Sequence, residues 1–518
     1  MKRIVMLLAN VWETDSRVRR EATAIAQAGY EVHVICNEAG ADYYMAESDG
    51  VIYHCLPKVT GAAYIAGVPG MIMLHYRVMI AAIRDDWSNG ARERAARRVL
   101  TAAGGGLFQV LAMLAASVML GPFLLIRGGI GGVIWLLARL IKMFPAPRNA
   151  QYSLLRSAYG TLMRLIAAIS RRLWGLTYRA WRIVHLDSIL YLNQFSVRAI
   201  SLARSLDPDA VHAHDLVTLS GGFAVSTDLR IPLIYDAHEL ETHTNYWGLS
   251  RHTRKWIEFY ERYLARRCTK IITVCDSIAD WLRDTYGMPR PLVVYNSPDL
   301  RADDQPANTV DTLRNRLGLA SDIPLAVYVG SVTLDRGLVE CVHALAFSPE
   351  LHMAFVGPRY SVTEAEILGA SANLGVQDRV HLVDSVPSQL VTAFVSDADC
   401  SVIPIQNVCL SYYFCFPNKL LESVLAGVPV VAARLIELER FVNRFEVGVI
   451  ADETDPKSIA DAIDAVIRDR SRFAPSIETR RQIAAEYGWA TQSRRLLDLY
   501  VEVLGAPELR GTRATTAA

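Results

Sequence analysis

The strongest constraint on how this chain folds is an alternation of short apolar runs with helical patterns, which repeats in two series. The first series lies within residues 3–56 and 209–296, and the second occupies 324–433. Strands that alternate with helices form parallel sheets covered by helices on both faces. The two series therefore predict an α/β protein with two Rossmann-like, doubly wound domains. Ligands of such sheets bind outside the carboxyl ends of the strands, so we expect a site in a cleft between the domains.

Interruptions of this alternation set the predicted domain boundaries. A long hydrophobic and basic stretch interrupts the first series, a polar stretch separates the two series, and the last residues are small and polar. The predicted segments are an N-terminal domain made of 1–56 and 190–300, an insertion at 57–189, a C-terminal domain at 310–480, a helix at 481–503 that returns to the N-terminal domain, and a disordered tail at 504–518.

The insertion contains a run of twenty residues without a charge, 107–126. This run is long enough to cross the hydrocarbon core of a bilayer, and basic and aromatic residues suited to a membrane interface lie on either side of it. Because the strands before and after the insertion belong to one predicted sheet, the chain must return to the side that it left. We therefore predict a re-entrant or two-pass hairpin over 107–144, or interfacial helices, at the cytoplasmic face of the cell membrane. A buried helical hairpin in a soluble protein is the alternative.

Charge and cysteine content argue against some other classes of protein. The chain has 54 Lys and Arg against 53 Asp and Glu, which argues against nucleic acid as the main partner. Its eight cysteines include no C-x-x-C pair, so we expect reduced thiols in the cytoplasm. Two acids, Asp397 and Asp399, could hold a metal, but they precede a core strand and are predicted to be structural. We expect neither a metal nor a cofactor, because no His and Cys cluster has zinc spacing in the sequence.

One acid, Glu422, lies inside the otherwise apolar segment FPNKLLESVLAGVPVV, residues 416–431. An ionised carboxylate that is buried without a partner costs several kcal/mol, so we expect a partner, which is either a ligand or a nearby Arg or Lys. Pro417 suits the first turn of a helix. The N–H groups of Asn418 and Lys419 would then lie at the positive end of that helix, where anions bind readily.

Four stretches together resemble the glycosyltransferases of the GT-B fold, and among these the retaining glycosyltransferase family 4 (group 1). They are DSRVRREATAIAQAGYEVHVI, DAVHAHD, YDAHELET and FPNKLLESVLAGVPVVAA. The resemblance covers residues 1–56 and 190–503 but not the insertion. It implies that Glu422 receives the ribose hydroxyls of a nucleotide-sugar and that the helix start before it binds the diphosphate. The chain departs from the family at Phe414, where the family usually has an acid that contacts the donor sugar.

The same resemblance places a second part of the donor site in the segment VYVGSVTLDRGL, residues 327–338. Its glycine, Gly330, makes a turn after a strand. The family commonly has an Arg directly after this glycine and a Lys five positions later, whereas this chain has Ser331 and Arg336. The resemblance implies that Arg336 neutralises the diphosphate, and a solvated charge at a helix start is the alternative. The donor-binding candidates are Gly330, Ser331, Arg336, Asn418, Lys419 and Glu422.

The strand ends of the first domain supply the other candidates. By resemblance, His214 of HAHD faces the cleft near the reacting carbon of the sugar, whereas His212 is expected on the other face of the strand; an ordinary strand-end histidine is the alternative for His214. The catalytic candidates are therefore His214, Arg336 and Glu422. Weaker candidates for the acceptor side are Asp215, Asp236, His238 and Glu239.

The resemblance and the insertion together predict a membrane-associated, retaining glycosyltransferase. It would move a sugar from a nucleotide diphosphate donor to a lipid-linked saccharide or glycolipid acceptor, as in polysaccharide or glycoconjugate biosynthesis. A nucleotide-sugar epimerase of the same double fold is one alternative, although its soluble substrate would not explain the insertion. A non-catalytic GT-B scaffold is another, which the departures at Phe414 and Ser331 would permit.

Overall fold

The computed structural model describes most of the chain outside the insertion. The described residues are 1–37, 40, 42–57, 67, 70–75, 77–78, 81, 186–245, 251–298 and 311–506. The chain divides into one compact unit of residues 1–60 and 198–518 and a second unit of residues 61–197. Within the second unit, Met71, Leu74 and Val78 are buried. The hairpin predicted at 107–144 and most of the predicted linker and tail lie outside the described residues.

The first half of the larger unit is built on a sheet of eight strands. Their order across the sheet is β3-β4-β2-β1-β5-β6-β7-β8, and all neighbours are parallel except β3 and β4. Continuous burial along the central strands explains why their sequences are unbroken apolar runs. The strands are β1 (Arg3–Val11), β2 (Glu31–Asn37), β3 (Tyr44–Ser48), β4 (Val51–Leu56), β5 (Ala210–His214), β6 (Leu233–Ala237), β7 (Lys270–Thr273) and β8 (Leu292–Val293).

Helices connect these strands, and a helix from the far end of the chain packs on the same sheet. The connecting helices are α1 (Ser16–Gln27), α2 (Leu186–Ser205), α3 (Leu216–Leu229), α4 (Arg251–Ala265) and α5 (Asp276–Tyr286). The last helix of the chain, Trp489–Leu504, contributes Leu496, Leu499 and Tyr500 to a buried cluster that includes Ile4. The carboxyl-terminal helix therefore packs against the N-terminal sheet.

The second half contains a six-stranded, fully parallel sheet. Its strand order, β11-β10-β9-β12-β13-β14, is the 3-2-1-4-5-6 order of a dinucleotide-binding fold. The strands are β9 (Leu325–Val329), β10 (His352–Val356), β11 (Val380–Val383), β12 (Cys400–Ile403), β13 (Val430–Ala433) and β14 (Gly448–Ala451). The helices are α6 (Leu313–Leu317), α7 (Leu338–Ala344), α8 (Ser361–Leu374), α9 (Val391–Val395), α10 (Leu410–Tyr413), α11 (Asn418–Leu425), α12 (Ile436–Phe445), α13 (Pro456–Arg468), α14 (Arg470–Phe473), α15 (Ile477–Tyr487) and α16 (Trp489–Leu504).

The prediction of two parallel, doubly wound sheets is confirmed. The sequence pattern did not predict two of the strands, β3 and β14. Strand β3 is a mostly exposed antiparallel edge, and β14 is four residues long and begins at a glycine, so neither has the apolar run typical of a central strand. In the part of the chain that the structure describes, no helix combines the length and the hydropathy needed to cross a bilayer.

The structural role predicted for Asp397 and Asp399 is confirmed. Asp399 Oδ2 accepts hydrogen bonds from Arg314 Nη2 at 2.8 Å and from the N–H of Leu325 at 2.9 Å. The carboxylate of Asp397 accepts a hydrogen bond from the backbone N–H of Arg314 at 3.2 Å. Both acids therefore anchor the region just before β9. All eight cysteines lie in the described residues, and each is a free thiol.

Candidate functional site

A cavity of about 660 Å³ lies where the carboxyl ends of the strands of both sheets meet, within the larger unit. This volume is in the range of pockets that hold small ligands and cofactors. The N-terminal half contributes the start of α1 and the loop after β6, and the C-terminal half contributes the loops after β9, β10 and β12 and the start of α11. The position agrees with the site expected from the strand pattern.

Two cations line the C-terminal side of this cavity, Arg336 and Lys419. Each is held over an aromatic ring. The guanidinium carbon of Arg336 lies 4.6 Å from the ring centre of Tyr412, and Lys419 Nζ lies 3.7 Å from that of Tyr328. Neither cation has a carboxylate within ion-pair distance among residues 1–57, 186–298 and 311–506 where these are described. Burial, and next the charge of Arg336, lower the pKa of Lys419 to about 7.

The first backbone N–H groups of α11 lie at the same C-terminal side of the cavity as Arg336 and Lys419. Pro417 is the N-cap residue of this helix, and Pro417, Asn418 and Lys419 all line the cavity. The first N–H groups of a helix have no partner within it, and the helix dipole adds positive potential there. Gly330 lines the cavity next to Lys419, with φ +130°, and a Cβ at this position would lie 2.9 Å from Lys419 Nζ. The backbone angle therefore favours glycine at this position, and the absence of a Cβ leaves room for the tip of Lys419.

Glu422 lies on the same helix, is half-buried, and is one of the residues that line the cavity. Burial raises the pKa of Glu422, while Lys419 and Arg20 oppose that rise. The described part of the chain gives its carboxylate no hydrogen bond and no ion pair within 4.0 Å. The alternative of a structural ion pair with Arg or Lys is therefore not supported. The carboxylate is instead available to a ligand in the cavity.

On the N-terminal side, His238 lines the cavity between two carboxylates. Its Nδ1 lies 3.2 Å from Asp215 Oδ2, and its Nε2 lies 3.2 Å from Asp236 Oδ2. Burial lowers the pKa of His238, but Asp215 and Asp236 outweigh burial and hold that pKa well above the usual range. The cavity therefore has a cationic imidazole on this wall at neutral pH. Asp215 sits at φ +64°, a strained angle for a residue other than glycine.

A buried ion pair holds Asp236 in place. Arg17 of α1 donates hydrogen bonds from Nε to Asp236 Oδ2 at 3.0 Å and from Nη2 to Oδ1 at 2.9 Å, and from Nη1 to the carbonyl of Val294 at 2.8 Å. Burial alone would raise the pKa of Asp236, but Arg17 and His238 together hold it well below the usual range. The charge of His238 thus depends on a side chain that is 219 residues away from Asp236 in the sequence.

The structure corrects the predictions for the two histidines of β5. His214 is fully buried behind His238, with Nδ1 3.1 Å from His238 Nε2, and it does not line the cavity. The expectation that His212 points to the other face of the strand is wrong. Residues two apart in a strand share a face, and the two rings stack with centroids 4.1 Å apart. Burial lowers the pKa of both imidazoles, so both are neutral at neutral pH.

The remaining candidates divide between the cavity and its surroundings. Glu239 lines the cavity, and its Oε2 lies 3.5 Å from the hydroxyl of Ser411, which belongs to the C-terminal half. Burial and the charge of Asp215 raise the pKa of Glu239 to about 7. Asp215 and Asp236 lie behind His238 rather than in the lining. Ser331 is exposed and outside the lining, and its carbonyl accepts a hydrogen bond from the Tyr328 hydroxyl at 2.9 Å.

Two cavity residues, Asp15 and Arg17, were not among the sequence candidates. Asp15 is the N-cap of α1, and its Oδ1 accepts a hydrogen bond from the N–H of Val18 at 3.1 Å. Both residues follow the first strand of the chain after one short 3-10 turn, Trp12–Thr14. The rule that ligands bind at the carboxyl ends of strands, applied to β1, would have pointed to them.

Two family models match the chain outside its N-terminal part. The model described as Glycosyltransferase Family 4 matches residues 130–301, and the model described as Glycosyl transferases group 1 matches residues 309–487. Similar curated proteins include a D-inositol 3-phosphate glycosyltransferase of Xylanimonas cellulosilytica, 27% identical over 308 residues, which are 57% of this chain and 72% of that protein. A GDP-mannose:cellobiosyl-diphosphopolyprenol alpha-mannosyltransferase of Xanthomonas campestris is 24% identical over 307 residues, which are 58% of this chain and 75% of the other.

Solved structures share the fold. A sucrose-phosphate synthase from Thermosynechococcus elongatus superposes with a TM-score of 0.62 at 15% identity, covering 98% of this chain and all of that chain (100%). An Anabaena protein solved in complex with UDP has a TM-score of 0.50 at 19% identity, covering 61% of this chain and 84% of the other. At such low identity, these structural likenesses show only that the chain has the double-domain fold. The evidence on activity comes from the two family models.

Proposed function

We propose, since this chain belongs to the group 1 glycosyltransferases of the GT-B fold, that it transfers a sugar with retention from a nucleotide diphosphate donor to a lipid-linked saccharide or glycolipid at a membrane. The observation that carries the donor part is the C-terminal wall of the cavity. Arg336, Lys419 and the start of α11 supply positive charge there, and the described residues give neither side chain an ion-paired carboxylate. Glu422 supplies a carboxylate on the same helix that has no ion pair among the described residues.

The proposed placement of the donor follows from these charges. The diphosphate lies against Arg336, Lys419 and the N–H groups at the start of α11, which together neutralise it. Glu422 accepts two hydrogen bonds from the vicinal ribose hydroxyls. The sugar then extends toward the opposite wall, where His238 and Glu239 lie. The Anabaena protein of the same fold was solved with UDP, which supports a nucleotide in this class of cavity.

The reaction proposed is a substitution on one face of the sugar. The bond between the anomeric carbon and the phosphate oxygen breaks, and the acceptor hydroxyl oxygen bonds to that carbon on the same face. The acceptor proton passes to the leaving phosphate, so the products are a glycoside and a nucleoside diphosphate. Arg336 and the helix start stabilise the charge that develops on the leaving group. The Glu239 carboxylate, with its pKa near 7, is placed to hydrogen-bond the acceptor hydroxyl.

The acceptor is proposed from the insertion. The uncharged run 107–126 and its basic flanks suit a segment that enters a membrane from the cytoplasmic side and returns to it. A lipid-linked acceptor would then meet the cavity at the membrane surface. The Xanthomonas relative is named for transfer to a polyprenol-linked saccharide, which supports an acceptor of this class.

The function is tested by supplying the purified protein with a panel of nucleotide-sugars and a bacterial lipid extract. We expect one donor to give nucleoside diphosphate and a sugar-labelled lipid, with the anomeric configuration of the donor kept in the product by NMR. Sugar isomerisation without an acceptor would indicate an epimerase instead. No nucleotide binding by calorimetry across the panel would favour a non-catalytic scaffold.

Donor affinity should fall as the pH rises through 7, because Lys419 has a pKa of about 7 in the free protein and binds the diphosphate only when charged. The fall should approach about tenfold per pH unit above that value. Calorimetry with a nucleotide-sugar is suitable because its diphosphate diester does not titrate in this range. Lys419→Met should bind more weakly below pH 7 and have a flatter profile. The exposed-lysine variant Lys457→Met is the matched control, and equal slopes in wild type and Lys419→Met would contradict the prediction.

Deleting residues 104–145 and bridging the ends with a short Gly/Ser linker should release the protein from membranes. Nucleotide binding should persist and transfer to a lipid acceptor should be lost, because the insertion is proposed to hold the cavity at the bilayer. Flotation on vesicles measures the release. Leu100→Cys and Arg148→Cys, labelled in intact cells with an impermeant thiol reagent and compared with wild type, test whether both flanks share one side. Labelling of one flank only would mean a single crossing.

A further inference from the structure

The N-terminal wall of the cavity carries two acids, Asp15 and Glu239, that the donor does not use. Asp15 is the N-cap of α1, Glu239 comes shortly after β6, and both line the cavity. Among the described residues, neither acid has an ion pair within 4.0 Å. Burial acts to raise the pKa of both carboxyls and the charge of His238 acts to lower it, so both acids lie near that imidazole.

Asp15 is held as a carboxylate that still has free acceptor positions. Its Oδ1 accepts a hydrogen bond from the N–H of Val18 at 3.1 Å, and its Oδ2 accepts one from Asn10 Nδ2 at 3.2 Å. Burial opposes ionisation, but the charge of His238 and these two hydrogen bonds hold the pKa of Asp15 below its usual value. A carboxylate has about four acceptor positions, so Asp15 can accept about two more hydrogen bonds from a ligand in the cavity.

The two cations of the same wall are already balanced by acids of the protein. Arg17 donates two hydrogen bonds to Asp236, and His238 has Asp215 at one ring nitrogen and Asp236 at the other. Two positive charges therefore meet two negative charges. Glu21, beside Arg17, adds little charge at neutral pH because burial raises its pKa to about 8. Since both ring nitrogens of His238 face carboxylates, this imidazole has no N–H group left for an anionic ligand.

The other sources of positive potential are taken by the donor or by Asp15. Arg336 and Lys419 are assigned to the diphosphate of the donor. The start of α1 would attract an anion, but the carboxylate of Asp15 already occupies it as the N-cap. Among the described residues of the N-terminal wall, an anionic group of the acceptor would therefore meet acids and no unbalanced cation. The hydroxyl groups of a sugar, in contrast, can donate hydrogen bonds to both acids.

We propose that the acceptor places an uncharged sugar ring in the cavity and that Asp15 and Glu239 bind the hydroxyl groups of this ring. The inference rests on the proposed glycosyl transfer and narrows its acceptor, because the ring that receives the sugar carries no phosphate, carboxylate or sulfate. If a diphosphate links the acceptor to its lipid, that diphosphate stays outside the cavity. Hydrogen bonds from hydroxyl groups to a carboxylate are among the stronger ones, so Asp15 is an acceptor-binding residue.

The test uses the full-length protein, the nucleotide-sugar that the donor screen identifies, and the bacterial lipid extract as the source of acceptor. Tandem mass spectrometry of the labelled lipid identifies the ring that received the sugar. Initial rates at varied extract concentration, and donor affinity by calorimetry, are then compared between wild type and Asp15→Asn.

The substitution Asp15→Asn should keep the fold, because Asn caps a helix about as well as Asp. The control is Asp455→Asn, which makes the same change at the N-cap of α13, outside the cavity lining. Glu239→Gln gives a second measurement at a position that caps no helix, so the test does not depend on the folding of Asp15→Asn.

We expect the added sugar on an uncharged ring. Asp15→Asn should raise the extract concentration that gives the half-maximal rate by about 10- to 150-fold, as expected for lost hydrogen bonds to a charged group, while donor affinity stays at the wild-type value. Transfer to a ring that bears a phosphate, or wild-type dependence on the extract in both Asp15→Asn and Glu239→Gln, would overturn the inference and leave glycosyl transfer itself intact. Absence of transfer from every donor would overturn the proposed function and this inference with it.

Discussion

Glu422→Gln should weaken binding of the donor nucleotide by about 10- to 150-fold and leave the fold intact, which corresponds to roughly 1.5–3 kcal/mol for hydrogen bonds to a charged group. The carboxylate can accept a hydrogen bond from each hydroxyl of a ribose with its two oxygens. The amide keeps one acceptor and presents a donor in place of the other. Calorimetry with the nucleoside diphosphate that the donor screen identifies gives the affinity of both proteins.

Glu366→Gln is the matched control, because Glu366 is an exposed acid in the middle of α8 in the same half of the protein. The affinity of the Glu366→Gln variant for the nucleotide should equal that of wild type. Unchanged affinity in Glu422→Gln together with a lower melting temperature would mean that Glu422 is a structural acid. Because Glu422 has no protein partner among the described residues, we expect the melting temperature of the Glu422→Gln variant to equal or exceed that of wild type.

The parts of the fold and site that the sequence predicts well depend on local patterns. Unbroken apolar runs identify central parallel strands because those strands are buried on both faces. The rule that ligands bind at the carboxyl ends of such strands predicts the position of the cleft, and the resemblance to the glycosyltransferases implies that Gly330, Arg336, Lys419 and Glu422 lie together in it. The structure brings these four residues into one cavity. Their roles in binding the donor remain predictions that the experiments above test.

The parts that the sequence does not predict depend on contacts between distant segments. Nothing in the pattern of α1 indicates that Arg17 pairs with Asp236, since amphipathic spacing gives only the buried face of the helix. Which of His214 and His238 lines the cavity, and which lies behind it, depends on how β5 and β6 lie side by side. The error at His212 has a simpler cause, because the two-residue period of a strand already places it on the face of His214.

Asp236→Asn should lower the free energy of unfolding by about 3–5 kcal/mol, because it removes the charged carboxylate that accepts hydrogen bonds from Nε and Nη2 of Arg17. The other acid beside this buried guanidinium, Glu21 at 3.0 Å from Nε, does not replace that charge, since burial raises the pKa of Glu21 to about 8. His238 would lose one of its two carboxylates in the same change, so its pKa should fall. Urea denaturation at neutral pH measures the loss.

Asp284→Asn is the control for this change, since Asp284 pairs with Arg283 on the exposed face of α5 and the loss of a solvated ion pair should matter little. The pH dependence gives a second check. The pKa of Asp236 is held below its unfolded value, so its contribution is present at neutral pH and is lost as the pH falls through the folded pKa. Asp236→Asn should therefore lose less stability than wild type on acidification. Equal stability of the two Asn variants would mean that Arg17 finds another partner, and the geometry around His238 would then not depend on α1.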